Sequence, residues 1–165
     1  MPIKIALLHG LESNNKGQKN DWLRTIGEVY DPLIDYRQKS IYNLIRNEIS
    51  DFNPDILIGS SMGGFFSYEI SKELNIPALL FNPALHSRSF TPDMTGKQIG
   101  TFKPEMLFVF GQMDELINPS VTIEILIAEG YTKNSFVCLP HGHRTPFEVF
   151  TREAENFLQR LPLRY

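Results

Sequence analysis

Between Asp55 and Gly64 the chain reads Asp-Ile-Leu-Ile-Gly-Ser-Ser-Met-Gly-Gly. Ile56 to Ile58 form a short apolar run of strand character. Behind the turn, Phe65, Phe66, Ile70 and Leu74 recur at helical spacing. A strand that passes directly into a helix through Gly59-Ser60-Ser61-Met62-Gly63 leaves its middle residue, Ser61, at the apex of a sharp bend. Such a bend holds that residue in a strained backbone conformation with its hydroxyl clear of the turn. The residues two before and two after pass close to neighbouring backbone, so glycine is required there. Gly59 and Gly63 meet that requirement. A bare G-x-S-x-G can arise by chance, and the strand before it and the helix after it give it weight.

The rest of the chain alternates in the same manner. Strands are expected at Ile3 to Leu8, Val29 to Tyr36 (weaker, interrupted by Pro32), Ala78 to Phe81, Met106 to Phe110 and Ser135 to Leu139. Helices are expected at Gly17 to Ile26 and after Ser40 as cap, where Ile41, Leu44, Ile45, Ile49 and Phe52 form the apolar face and Asn53-Pro54 stops it. Another follows Asn118, with Pro119 at its first position and Gly130 past its end. The last is opened by Thr145-Pro146-Phe147-Glu148 read as a capping box. Six strands alternating with helices predict a parallel sheet covered on both faces, in a single domain over residues 1–165. The stretch from Asn82 to Lys103 has no clear period, and a segment of that length is often functional.

A serine hydroxyl is a weak nucleophile at neutral pH and needs a base, which in turn needs an orienting carboxylate. After an elbow of this kind the expected chain order is serine, acid, histidine. Asp114 lies just past the strand that ends at Phe110, on the same sheet edge as Ser61, and is the preferred acid; Glu115 is the alternative. His141 and His143 both follow the strand ending at Leu139. His143 is the preferred base, since Gly142 lets the loop return toward Ser61, and His141 is then a loop or pocket residue. The oxyanion hole is expected from the N–H groups of Met62 and Leu11, the latter just after His9-Gly10. His9 is expected to brace that loop. His9, Asn82, His86 and His141 are possible pocket residues. His-x-His can ligate zinc, but no H-E-x-x-H motif or cysteine cluster accompanies it, so neither metal nor cofactor is expected.

These residues resemble the α/β-hydrolase superfamily, through His9-Gly10, the elbow at Ser61, the post-strand Asp114 and Gly142-His143. Within it the chain is similar to small lidless bacterial esterases of the YqiA type, on Asn82-Pro83-Ala84 after a strand and Gly59-Ser60-Ser61-x-Gly63-Gly64. The resemblance implies a three-layer α/β-hydrolase fold without a cap domain. It also implies that the two leading antiparallel strands of larger members are missing, so that the first strand lies at the sheet centre beside the elbow strand. For activity it implies an esterase or thioesterase acting on small acyl substrates through Ser61, Asp114 and His143.

Composition narrows the alternatives. Net charge of −3 gives no reason to expect nucleic acid or an anionic membrane as partner. No apolar run is long enough to span a bilayer. The single cysteine, Cys138, excludes an internal disulfide and is expected to be buried and reduced, consistent with a cytoplasmic protein. Two other readings stand beside the hydrolase: a non-catalytic binder of a small ligand or partner on the same fold, and acyl transfer or C–C cleavage by the same residues. Oligomeric state is not legible in the sequence.

Overall fold

The structure, a computed structural model, describes residues 1–162. In chain order it runs β1 (Ile3–Leu8), α1 (Gln18–Ile26), β2 (Gly27–Tyr30), α2 (Ile41–Phe52), β3 (Ile56–Ser60) and α3 (Met62–Leu74). Then follow β4 (Ala78–Phe81), β5 (Met106–Gly111), α4 (Pro119–Ala128), β6 (Phe136–Leu139) and α5 (Phe147–Arg160). The six strands form one sheet in the order β2-β1-β3-β4-β5-β6, and every pairing is parallel.

The inner strands β1, β3, β4 and β5 are buried on both faces over most of their length, and their side chains sort with the period of two that a pleated strand imposes. Ile5, Leu7, Ile56, Ile58, Leu79, Phe81, Leu107 and Val109 face α1 and α5, where Leu23, Phe150, Ala154 and Phe157 meet them. The intervening Ala6, Leu8, Leu57, Leu80, Phe108 and Phe110 face α2, α3 and α4, against Ile45, Ile49, Phe66, Ile70 and Leu126. The result is three layers, helix–sheet–helix. No cap domain stands over the sheet among the described residues, and no helix there is long and apolar enough to cross a membrane.

The connections are local in origin. Asn118 accepts a hydrogen bond from the Ser120 N–H (3.0 Å) and opens α4 with Pro119 behind it. Asn53 and Asn75 end α2 and α3 in the left-handed region, where asparagine is tolerated better than most residues.

Several expectations need correction. The second strand begins at Gly27 and stops at Tyr30, ahead of Pro32, whose ring removes a ladder donor. Ile34 and Tyr36 are buried even so, in the loop that crosses the end of β1. Ser40 occupies the position before α2 with φ 56°, but its hydroxyl caps nothing; its N–H donates to Asp93 Oδ2 (2.8 Å). The capping box at Thr145 does not form, and Pro146 holds the position before α5 without a side-chain cap. Cys138 is exposed, because β6 is an edge strand with a half-covered face; partial burial still raises its thiol pKa. The first strand pairs with the elbow strand as expected, yet lies one strand from the sheet edge, not at its centre.

Candidate active site

With all strands parallel, the segments that follow β1, β3, β4, β5 and β6 emerge at one edge of the sheet. The strand order reverses direction between β1 and β3, and ligands in open α/β sheets bind outside the strand ends at such a switch point. Leu11 follows β1 and Ser61 follows β3, so they flank that point.

Ser61 has φ 51° and ψ −113°, a conformation that side chains rarely adopt. Neighbouring backbone fixes it: the Ser61 N–H donates to Phe81 O (3.0 Å), and Ser61 O accepts from the N–H groups of Phe65 and Ala84 (3.0 Å each). A Cβ at Gly59 would overlap Gly63 O and Ser67 Oγ, and one at Gly63 would overlap the carbonyl oxygens of Leu8 and His9. Gly10, by contrast, would bring a Cβ no closer than 3.5 Å to Ser61 Cβ, and its backbone is not left-handed. Its turn does not demand glycine.

His143 Nε2 lies 3.0 Å from Ser61 Oγ, and Nδ1 lies 2.7 Å from Asp114 Oδ2. Because an ionised carboxylate only accepts, the proton belongs on Nδ1, which leaves Nε2 free to accept the Ser61 hydroxyl proton. The Asp114 side chain is fully buried. Its second oxygen, Oδ1, accepts from the N–H groups of Leu116 and Ile117 (2.9 Å each), so both carboxylate oxygens are held. Glu115, next in the chain, is exposed and takes no part.

Asn82 holds this arrangement from behind. Its Nδ2 donates to His143 O (2.9 Å) and to Thr145 Oγ1 (3.3 Å), and its Oδ1 accepts from the buried Gly111 N–H (2.7 Å). One side chain thus ties the ends of β4 and β5 to the His143 loop, and Asn82 itself sits at φ 43°. Asn82→Ala strands the Gly111 donor, at a cost of about 1–3 kcal/mol. Thermal denaturation is expected to show a fall of roughly 3–10 °C. Release of the His143 backbone is expected to lower any Ser61-dependent rate by about 10- to 100-fold, since small misplacements of a base are costly.

A cavity of about 250 Å³ opens beside Ser61 and His143. Leu11, Met62, Ala84, Leu116 and Ile117 form its apolar wall, and Ser87, Arg88 and Ser89 its polar one. The 82–103 stretch therefore contributes only its first part. Leu116 and Ile117 were not anticipated: they reach the cavity through the turn their N–H groups make around Asp114. A larger cavity, about 590 Å³ between Lys72, residues 100–106, 129–132 and 134–135, lies at the opposite ends of the strands and contains none of these groups.

The four residues expected as possible pocket lining do not line this cavity. His9 is buried: Nδ1–H donates to Gly10 O (2.7 Å) and Nε2 accepts from the Ile34 N–H (2.9 Å). Burial lowers its pKa, which keeps the ring neutral and the second bond intact. It braces the loop. Asn82 is scaffold, His86 bonds Thr122 on α4 (3.0 Å), and His141 is buried with Nδ1 2.8 Å from Gly142 O.

A model of the uncharacterised protein family UPF0227 matches residues 5–115. The chain belongs to UPF0227. The matched span takes in the elbow, Asn82 and Asp114, and ends before His143. No curated protein matches the sequence. Among solved structures, the chain is similar to an α/β-superfamily protein from Xanthomonas campestris pv. campestris, with TM-score 0.72 at 20% identity over 96% of this chain and 98% of that one. It is also similar to Est1E from Butyrivibrio proteoclasticus (TM-score 0.70, 15% identity, 96% and 87% covered). A third is MGS-MChE2, an alpha/beta hydrolase enzyme from the metagenome of Mar Chica lagoon sediments in Morocco (0.68, 16%, 97% and 92%). This UPF0227 member therefore has the α/β-hydrolase fold, with no cap domain among the described residues.

Proposed function

We propose that the protein is a serine hydrolase, an esterase or thioesterase of small acyl substrates that works through an acyl-enzyme on Ser61. One observation carries this reading: the unbroken relay from Ser61 Oγ through His143 to the buried Asp114 carboxylate, opening on a cavity. A purely ligand-binding protein has no use for an imidazole aimed at a strained serine.

The steps follow from the proton positions. Ser61 Oγ bonds to the acyl carbon as its proton passes to His143 Nε2, and the carbonyl π electrons move to oxygen. Asp114 stabilises the resulting imidazolium through Nδ1–H. The oxyanion is received by the Met62 N–H, at the free start of α3, and by the Leu11 N–H; among the described residues neither donates to another group. Collapse expels the alcohol or thiol, which leaves with the His143 proton. Water then gives a proton to Nε2, attacks the acyl carbon, and releases the acid as Ser61 recovers its hydrogen. The small, open cavity with its aliphatic wall suits short acyl chains.

A panel of p-nitrophenyl esters and acyl thioesters, run on wild type and on Ser61→Ala, tests this reading. Turnover is expected with short chains in wild type and is expected to be lost in Ser61→Ala. Turnover retained in Ser61→Ala, or no turnover by wild type on any member of the panel, would contradict it.

A further inference from the structure

Among the described residues, Arg88 is the one permanently charged residue lining the cavity beside Ser61, and no carboxylate lines it. Its guanidinium stacks over the Phe65 ring, 4.1 Å from the centroid. Nη1 donates to Ala84 O (2.7 Å) and Leu85 O (2.8 Å), which fixes the head group in place. The other nitrogens are uncommitted among the described residues: Nη2 makes no hydrogen bond, and Nε is buried without a partner. Glu69 attracts the guanidinium from a distance, but its ion pairs are with Lys97 (3.1 Å) and Lys72 (3.6 Å). A partly desolvated cation, held rigid and lacking a counter-ion, is unfavourable by itself and becomes favourable when an anion arrives.

We propose that Arg88 is a specificity-determining residue that binds a carboxylate carried by the substrate, so that the preferred substrates are anionic esters or thioesters. This rests on the hydrolase reading. Nη2, unbonded and not sealed from solvent as Nε is, has two N–H donors to offer a carboxylate. One cation balances one negative charge, which favours a carboxylate over a phosphate monoester bearing close to two. The protein's net charge of −3 offers no general attraction for anions, so the preference must be local. Ser87 and Ser89, which line the same cavity, carry hydroxyls of a type able to donate to the same group.

The carboxylate can belong to the acyl half or to the alcohol half, and two substrate pairs separate these. The first compares the p-nitrophenyl monoester of glutarate with p-nitrophenyl valerate. The second compares the butyrate ester of 4-hydroxybenzoate with that of its methyl ester. In one pair, wild type is expected to favour the anionic member by about 10- to 100-fold in kcat/KM, mostly through KM, the range of a charge-assisted hydrogen bond. Arg88→Gln is expected to bring that ratio to about one, and Arg88→Lys to an intermediate value. The ratio is taken within each variant, so loss of folding lowers both members alike.

Absence of any anionic preference in wild type overturns the proposal. So does a preference that survives Arg88→Gln, or an equal loss on both members with the ratio intact, which is the signature of a residue that merely braces the 84–89 turn. Calorimetric titration of monomethyl glutarate into Ser61→Ala and into Ser61→Ala/Arg88→Gln reads the anion site without turnover. Arg88-dependent binding with no ester hydrolysed would retain the anion site and sink the hydrolase reading. Hydrolysis without such binding or preference would do the reverse.

Discussion

Ser61→Ala and His143→Ala are each expected to lower kcat/KM for a p-nitrophenyl ester by about 10⁴-fold or more, and the double variant is expected to fall no further than the worse single one. The reason is geometric. His143 Nε2 has one partner, Ser61 Oγ at 3.0 Å, and without it the imidazole has no proton to take. Without the imidazole, the hydroxyl is a poor nucleophile at neutral pH. The two groups form one device, so removing both removes the same thing twice. Asp114→Ala is expected to be milder, by about ten- to a hundredfold, because the imidazole survives and loses only its orientation and charge partner. Losses that add between Ser61 and His143 would mean that they act separately.

Gly63→Ala is expected to cost at least about 4 kcal/mol, which lowers the midpoint of thermal unfolding by roughly 8–16 °C or prevents folding outright. The added carbon would overlap the carbonyl oxygens of Leu8 and His9, which are backbone and cannot rotate away. Relief requires α3 to lift from β1, and α3 is anchored by Phe66 and Ile70 in the core. Gly130→Ala supplies the comparison. Its Cβ would meet nothing within 4 Å, and only its φ of 99° resists substitution, at a cost of about 1 kcal/mol. Gly10→Ala, which meets Ser61 Cβ at ordinary contact distance, is expected to fold normally. Equal losses at positions 63 and 130 would show that close packing at the elbow is not what requires glycine there.

What could be read from the chain was local in physical origin. The strands at β1, β3, β4 and β5 are short apolar runs between breakers. The start of α4 is an Asn-Pro pair whose chemistry is complete within three residues. The elbow is legible because its glycines, serine and flanking elements lie within one window. The features that escaped depend on partners far along the chain. Asn82 reads as a possible pocket residue, yet it joins Gly111, His143 and Thr145. Thr145 reads as a helix cap, but its hydroxyl accepts from Asn82 and α5 starts without it. Tyr36 reads as the end of a strand, and is instead buried because its hydroxyl finds His9 O (2.6 Å). Cys138 reads as core, since nothing in the composition of β6 marks it as the sheet's edge. Leu116 and Ile117 could have been found: an aspartate followed two and three residues later by apolar residues invites an Asx turn, which here buries Ile117 and leaves the exposed Leu116 at the cavity's edge.

The most direct measurement is mass spectrometry of the folded protein after exposure to a fluorophosphonate probe near neutral pH. A single phosphonyl adduct on the peptide containing Ser61 is predicted, absent in Ser61→Ala and formed at least about 100-fold more slowly in His143→Ala. A folded wild-type protein that stays unlabelled, or one labelled at another residue, would contradict the claim that Ser61 is a nucleophile activated by His143.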